Sequence, residues 1–163
     1  MEIRRASVAD AADIADVHVR TWQSAYAHVF GAQRLAGLDV EARAERWARV
    51  LRDGEAIFVA DTDDRVVAFV SVGPASDDDR VGELYAIYAL PEAWGTGAGP
   101  DLMQAGVDAL REAGYRKAIL WVLEDNPRAR RFYEREGWEP DGAAKEDDFL
   151  GVRVAEVRYR LAL

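Results

Sequence analysis

Apolar residues in the first third of the chain recur at the spacing of an amphipathic helix. After a short strand at EIRRAS, the segment from 9 to 30 places large side chains mostly three or four residues apart: Ile14, Val17, Val19, Trp22 and Tyr26. Ser7 and Asp10 both suit the N-cap of this helix. A second helix is predicted from about Val40 to Leu51, closed by Asp53-Gly54.

Three β-rich segments follow the helices: AIFVAD, RVVAFVSVG and GELYAIYAL. They are rich in branched and aromatic residues, and the turn DTDD and the acidic loop PASDDDR separate them. Short strands joined by tight turns are typical of neighbouring antiparallel strands. We therefore expect a three-stranded antiparallel unit in the middle of the chain.

The C-terminal half alternates helices with strands. A helix is predicted from Pro100 to Ala113, then a strand at KAILWVLE and a short helix at PRARRFYEREG. One or two strands end the chain, and VRVAEVRYRLAL is predicted to be a final edge strand. Antiparallel strands combined with one βαβ passage indicate a mixed sheet with helices on its faces. The prediction is one α+β domain over residues 1–163, with a mostly antiparallel sheet flanked by about four helices.

Composition narrows the functions open to such a domain. With 163 residues and a net charge of −9, the chain is a poor candidate for binding nucleic acid by neutralising phosphates. It has no cysteine and two histidines, which argues against a bound metal. No apolar run approaches the roughly 20 residues of a membrane span, so we expect a cytoplasmic protein without a membrane partner.

A glycine-rich stretch, EAWGTGAGPD at residues 92–101, joins a predicted strand to a predicted helix. Free N–H groups and the positive end of the helix dipole meet at such a junction, which favours an anion. The stretch lacks the Gly-Lys pair of a Walker loop, and Pro100 occupies the third glycine position of a dinucleotide fingerprint. An isolated Gly-x-Gly is often only a turn.

A second motif, NPRARRFYEREGW at residues 126–138, lies about thirty positions downstream. With both motifs in this order, the chain resembles the GNAT superfamily of acyl-CoA-dependent N-acyltransferases over nearly its full length. The family patterns are Q/R-x-x-G-x-G/A for the first motif and N-x-x-A-x-x-F-Y-x-x-x-G-F for the second. The resemblance implies a GNAT-like fold and acetyl-CoA as acyl donor.

The resemblance also implies which residues hold the donor. The loop would bind the pyrophosphate, the strand before it would pair with the pantetheine arm, and Asn126 would hydrogen-bond the cofactor; the loop and strand residues are Ile87, Tyr88, Ala89, Trp94, Gly95, Thr96, Gly97, Ala98 and Gly99. Because an acidic protein needs local positive charge to hold an anionic cofactor, Arg128, Arg130 and Arg131 are expected to approach its phosphates, and Arg130 is the one selected. Two departures weaken the match. Trp94 stands where the family has Gln or Arg, and Pro100 lacks an N–H. For each arginine of the second motif, a solvated helix face is the simpler interpretation.

Acyl transfer from a thioester to an amine needs a neutral amine and a proton for the departing thiolate. The resemblance places Tyr133 beside the sulfur as the acid. Glu83 is the predicted base, since a glutamate occupies the corresponding position in the histone-acetylating branch of the family. In a regular strand Glu83 would share a face with Tyr85 and Ile87. A Glu83 that only faces solvent is the alternative. Some other relatives place the base where this chain has Trp121, which cannot act as one, so water relayed from a backbone carbonyl also stays open as the base.

Aromatic residues from the first helix and the sheet are predicted to line the acceptor pocket: Trp22, Tyr26, Tyr85 and Trp121. The predicted acceptor is a primary amine of a small molecule or peptide, and the final strand could pair across a homodimer. Two alternatives to an acetyltransferase stay open. One is a non-catalytic acyl-CoA sensor or scaffold; the weaker one is a nucleotide-binding oxidoreductase.

Overall fold

The computed structural model describes residues 1–163 and contains one seven-stranded sheet. The strands are β1 (Glu2–Arg5), β2 (Ala56–Asp61), β3 (Val66–Pro74), β4 (Gly82–Ala89), β5 (Lys117–Leu123), β6 (Glu139–Phe149) and β7 (Val152–Ala162). Their order across the sheet is β1-β2-β3-β4-β5-β7-β6. Only β4 and β5 run parallel, and all other neighbours are antiparallel. The predicted mixed, mostly antiparallel sheet is confirmed.

Four long helices and two single-turn helices surround the sheet. They are α1 (Ala11–Ala25), α2 (Ala27–Phe30), α3 (Ala32–Ala36), α4 (Val40–Arg52), α5 (Ala98–Glu112) and α6 (Pro127–Arg135). The helix predicted over 9–30 is divided at Tyr26, where the backbone leaves the helical region. This turn lets Phe30 stack on Trp22, with the ring centroids 5.6 Å apart. None of these helices combines the length and apolarity that crossing a bilayer requires.

Helices cover both faces of the sheet. On one face Val70 and Val72 lie against Gly106 of α5, where a Cβ would come within 3.2 Å of the valine side chains. On the other face Phe69 packs against Trp47 of α4, with the ring centroids 5.2 Å apart. The buried core therefore lies in two layers, with the central strands between them.

The last strand does not form an edge, contrary to the prediction. β7 pairs with β5 through Lys117↔Ala162 to Leu123↔Glu156, and with β6 through Glu139↔Arg160 to Phe149↔Val152. The true edge strand, β6, has the polar sequence EPDGAAKEDDF. Because both sides of β7 are already paired, it cannot form the intermolecular pairing suggested for a homodimer.

Strands β4 and β5 separate soon after they begin. Their register contains only Gly82↔Ala118 and Glu83↔Ile119, although β4 continues to Ala89 and β5 to Leu123. From Leu84 onward the two strands diverge, because no further rungs join them. This gap in the middle of the sheet determines where a ligand can enter.

Candidate active site

A cleft of about 570 Å³ occupies the gap between β4 and β5. The loop of residues 94–100 and helix α6 form one side, and helix α1 with the β6–β7 hairpin forms the other. Many of the site residues predicted from the sequence line it: Trp22, Tyr26, Tyr85, Ile87, Tyr88, Ala89, Trp94, Gly95, Gly97, Gly99, Trp121, Asn126 and Tyr133. The two motifs, distant in sequence, therefore meet in one cavity.

The glycine loop presents unpaired backbone donors at this cleft. The N–H groups of Gly95, Gly97 and Gly99 donate to no protein acceptor. Gly97 has a φ of +91° as the N-cap of α5, a left-handed conformation that favours glycine. The helix begins at Ala98, two residues before the predicted start, so Pro100 falls in its first turn, where an N–H has no helical partner. The loop can therefore hold an anion at a helix N-terminus.

The Trp94 side chain is neutral, but it holds the positive charge of Arg128 beside the loop. The Arg128 guanidinium stacks over the indole ring, 3.2 Å from its centroid, and both residues line the cleft. The indole Nε1 also donates to the Ala89 carbonyl at 3.1 Å. Arg130, the arginine predicted to contact the cofactor, does not line the cleft, since it donates to the Tyr159 hydroxyl and to the Glu124 carbonyl.

The open edge of β4 carries backbone groups suited to an extended ligand. Leu90 donates its N–H to the Val67 carbonyl on β3, at 2.9 Å. Because backbone groups alternate sides along a strand, those of Tyr88 also face β3, and those of Ile87 and Ala89 face the gap. The Tyr88 ring lies on the α1 face and stacks on His18, with centroids 5.3 Å apart.

Tyr133 places an unpaired hydroxyl in the cleft. The residue is 8% exposed, and its hydroxyl forms no hydrogen bond with the protein. Burial raises the pKa of Tyr133, and the nearby Tyr88 and Tyr26 hydroxyls raise it further, so the phenol keeps its proton. Asn126 caps α6 by accepting from the Ala129 N–H at 3.2 Å, and its amide donates to the Tyr26 hydroxyl at 3.0 Å.

A β-bulge separates Glu83 from the rest of β4. Val72 pairs with Leu84 and Ser71 with Ala86, so Tyr85 is the extra residue. The expectation that Glu83 shares a face with Ile87 is therefore wrong, because the bulge shifts the alternation by one residue. Glu83 is half-buried and does not line the cleft. Burial raises its pKa, and the Lys145 ammonium partly opposes that shift.

Aromatic rings form the wall of the cleft opposite the glycine loop. Trp22 contacts Tyr26 and Phe149, with ring centroids 5.0 and 6.0 Å away. Its buried indole N–H has no hydrogen-bond partner. Trp121 lines the same region, and the Lys145 ammonium lies 4.3 Å from its ring centroid. The predicted aromatic side chains are thus assembled on one wall.

One carboxylate lies within this aromatic wall. Glu156 of β7 is 7% exposed, lines the cleft and forms neither a hydrogen bond nor an ion pair with the protein. Its pairing with Leu123 on β5 places its side chain on the α1 face of the sheet, since opposite residues share a face. Burial raises the pKa of Glu156, and the Lys145 ammonium partly offsets this effect.

Comparison with known proteins identifies the arrangement. The model of the acetyltransferase (GNAT) family matches residues 17–138. The chain belongs to this family. It is 34% identical over 159 residues to the uncharacterized N-acetyltransferase YuaI of Bacillus subtilis, covering 95% of this chain and 89% of that protein. An uncharacterized N-acetyltransferase of Archaeoglobus fulgidus is 33% identical over 137 residues, covering 82% and 89%.

Solved structures agree on the fold of this GNAT protein. Ribosomal-protein-alanine N-acetyltransferase from Brucella melitensis aligns over 100% of both chains with a TM-score of 0.79 and 22% identity. PaiA N-acetyltransferase from Thermoplasma acidophilum, solved in complex with coenzyme A, aligns over 99% and 98% with a TM-score of 0.77 and 17% identity. The predicted family, fold class and enzyme type, a GNAT-type N-acetyltransferase, are confirmed.

Two residues of this GNAT site were not singled out from the sequence. Arg128 was named with Arg130 and Arg131 as a candidate phosphate contact, but Arg130 was selected, and only the stacking of Arg128 on Trp94 separates the two. Glu156 stands in the alternating segment VRVAEVRY, where a glutamate between apolar residues indicates a solvent-facing position. No sequence signal would have shown that the region beside Glu156 is covered by α1.

Proposed function

We propose that this GNAT enzyme transfers an acetyl group from acetyl-CoA directly to a primary amine of a small molecule or peptide, within one ternary complex. The observation that carries the proposal is the meeting, in one cleft, of the free loop donors, the open edge of β4 and the unpaired Tyr133 hydroxyl. The coenzyme A complex of the PaiA structure supports the choice of donor.

The residues present fit the diphosphate and the pantetheine arm of coenzyme A. The N–H groups of Gly95, Gly97 and Gly99 would hold the diphosphate, with Arg128 adding positive charge. The backbone of Ile87 and the N–H of Ala89 would pair with the amides of the pantetheine arm, because the Ala89 carbonyl already accepts from the Trp94 indole. The donor supplies the acetyl group as a thioester, an acyl carbon bonded to a good leaving group.

Tyr133 has the properties of the acid that the departing sulfur needs. Its hydroxyl is free of protein partners and stays protonated at neutral pH, so it can donate to the sulfur as negative charge develops there while it takes a proton from the cationic nitrogen of the new amide. The chain has no cysteine to carry the acyl group, in keeping with direct transfer. Because Glu83 lies outside the cleft, it could act as a base only through an intervening water.

Calorimetry with matched glycine variants tests the donor site. Gly95 and Gly54 both have positive φ values, 75° and 86°, and a Cβ at either would meet nothing within 4 Å. Gly95→Asp and Gly54→Asp therefore carry similar backbone strain, but only the first adds a negative charge to the loop. We expect Gly95→Asp to weaken coenzyme A binding at least about tenfold, and Gly54→Asp to bind like the wild type.

Release of free thiol from acetyl-CoA, followed with a panel of primary amines, tests the activity. Amine-dependent thiol release by the wild type is the expected result. Saturable coenzyme A binding without turnover on any amine would favour the acyl-CoA sensor instead. Equal weakening of coenzyme A binding by the Gly95 and Gly54 variants would contradict the assignment of the loop.

A further inference from the structure

The Glu156 carboxylate is a largely buried group for which the protein supplies no direct partner. The residue is 7% exposed and forms no hydrogen bond or ion pair, and its carboxylate oxygens are not sealed from solvent but open to the cleft. Lys145 pairs with Glu156 across the β6–β7 ladder, but its ammonium lies over the Trp121 ring instead. An acidic group that is largely buried, has no partner and faces a cleft is suited to bind a cation or a proton donor.

The surroundings of Glu156 define the kind of cation. Four charged residues line the cleft; besides Glu156 they are Arg128 and Arg135 of α6 and Glu136, which directly follows that helix. Around Glu156 the lining is aromatic and apolar: Trp22, Ala25, Tyr26, Trp121, Leu123 and Phe149. Aromatic faces and a carboxylate both attract an ammonium group. No arginine or lysine is among the residues that line this wall, and the nearest ammonium, that of Lys145, lies over the Trp121 ring and already acts on Glu156.

We propose that Glu156 binds the ammonium of the acceptor and accepts its proton, and that the acceptors are primary amines with an apolar or aromatic body and no carboxylate. This inference rests on the proposed acetyl transfer and names its substrate class. It also assigns the role of base to Glu156 on β7, whereas the sequence predicted Glu83 on β4.

The proton transfers balance as follows. Glu156 takes one proton from the ammonium, which leaves the neutral amine that forms the bond to the acyl carbon as the carbon–sulfur bond breaks. Tyr133 gives its proton to the departing sulfur and regains one from the nitrogen of the new amide. Glu156 then releases its proton to solvent at the cleft mouth. One proton is released for each amide formed.

A pair of amines that differ only in a carboxylate tests the substrate class. 2-Phenylethylamine has an aromatic body and an ammonium, and L-phenylalanine adds a carboxylate to the same skeleton. With wild-type protein we expect kcat/KM for 2-phenylethylamine to exceed that for L-phenylalanine at least about a hundredfold, because a second carboxylate would be repelled by Glu156. Preference for L-phenylalanine would overturn the proposal.

Variants of three glutamates test the residue. Glu156→Gln should raise the KM for 2-phenylethylamine and lower kcat, reducing kcat/KM at least about a hundredfold, while Glu156→Asp recovers part of the loss. Glu146→Gln, the same change at an exposed glutamate of β6, is the matched control and should behave as the wild type. A Glu156→Gln enzyme within about twofold of the wild type, or a loss confined to Glu83→Gln, would contradict the assignment.

Two binding measurements separate this inference from the proposed function. Coenzyme A should bind Glu156→Gln as tightly as the wild type. Calorimetry of 2-phenylethylamine with coenzyme A present needs no turnover, and we expect at least about tenfold weaker binding to Glu156→Gln. If the amine binds in a way that depends on Glu156 but no turnover occurs, the proposed acetyl transfer is contradicted and the amine site at Glu156 is supported. Absence of amine binding to the wild type would overturn the carboxylate site itself.

Thermal unfolding excludes a purely structural role. A glutamate that supported the fold would lose stability on substitution, but removing an unpaired buried charge should leave the melting temperature of Glu156→Gln equal to or above that of the wild type. A fall in melting temperature together with unchanged kinetics would mean that Glu156 serves the fold alone.

Discussion

Removing the hydroxyl of Tyr133 should separate catalysis from stability. The Tyr133→Phe variant keeps the buried ring and loses an oxygen that has no hydrogen-bond partner in the protein. We therefore expect the free energy of unfolding to change by no more than about 0.5 kcal/mol. If the hydroxyl is the acid for the departing sulfur, its loss should lower kcat about 10²–10⁴-fold. That range corresponds to about 3–5 kcal/mol of activation free energy.

Tyr159→Phe provides the opposite case. Its ring lies 6.2 Å from that of Tyr133, is fully buried and does not line the cleft, and its hydroxyl accepts from the Arg130 guanidinium at 3.1 Å. Losing a hydrogen bond to a charged donor should cost about 1.5–3 kcal/mol of stability. The turnover of this variant should stay close to that of the wild type.

Urea unfolding and thiol release from acetyl-CoA measure the two quantities for both variants. The raised pKa of Tyr133 also means that the wild-type rate should not fall through loss of this proton between pH 7 and about pH 10, because the phenol titrates above its usual pKa. A Tyr133→Phe enzyme with nearly full kcat would refute the acid role. Equal loss of activity in both variants would show that the hydroxyl of Tyr133 has no special function.

Two further outcomes follow from the charges of the structure. Arg128→Ala should weaken coenzyme A binding on the order of fivefold, or about 1 kcal/mol, and leave binding of phosphate-free pantetheine unchanged. Calorimetry measures both affinities, and equal effects on the two ligands would contradict a phosphate contact. Burial lowers the pKa of His18 to about 4, so in an NMR titration its ring should stay neutral down to about that pH. Because the unfolded chain takes up this proton near pH 6.5, His18 should reduce stability as the pH falls from about 6.5 to 4; a ring that titrates near pH 6.5 in the folded protein would be inconsistent with its burial.

The parts of the fold with strong periodicity were predictable from the sequence. The strands of the middle unit and the helices beginning near Val40 and Pro100 stand within about two residues of their predicted bounds. β6 could not be recognised, because neither of its faces is apolar and its pairing with β7 depends on tertiary context. Because the sequence left open whether one or two strands end the chain and did not locate β6, β7 was predicted to be the edge strand.

The candidate site was predictable where it depends on backbone chemistry. Glycines at a strand-to-helix junction indicate free N–H groups without knowledge of any distant residue. Side-chain roles depend instead on which face a residue occupies. A single bulge at Tyr85 changes the face of Ile87 relative to Glu83, and two positions on α6 separate Arg128, which lies over Trp94, from Arg130, which points away from the cleft. These are differences of one or two residues, which hydrophobic patterns do not resolve.

The short contact between β4 and β5 divides the molecule into two modules. One ribbon, β1 to β4, carries the backbone edge assigned to the donor, and the other, β5 to β7, carries Trp121, Phe149 and Glu156. Since two residue pairs are all that join the ribbons within the sheet, replacements in the second ribbon transmit little distortion to the first. In such an architecture, substitutions during evolution can change the acceptor side of the cleft while the donor side keeps its structure.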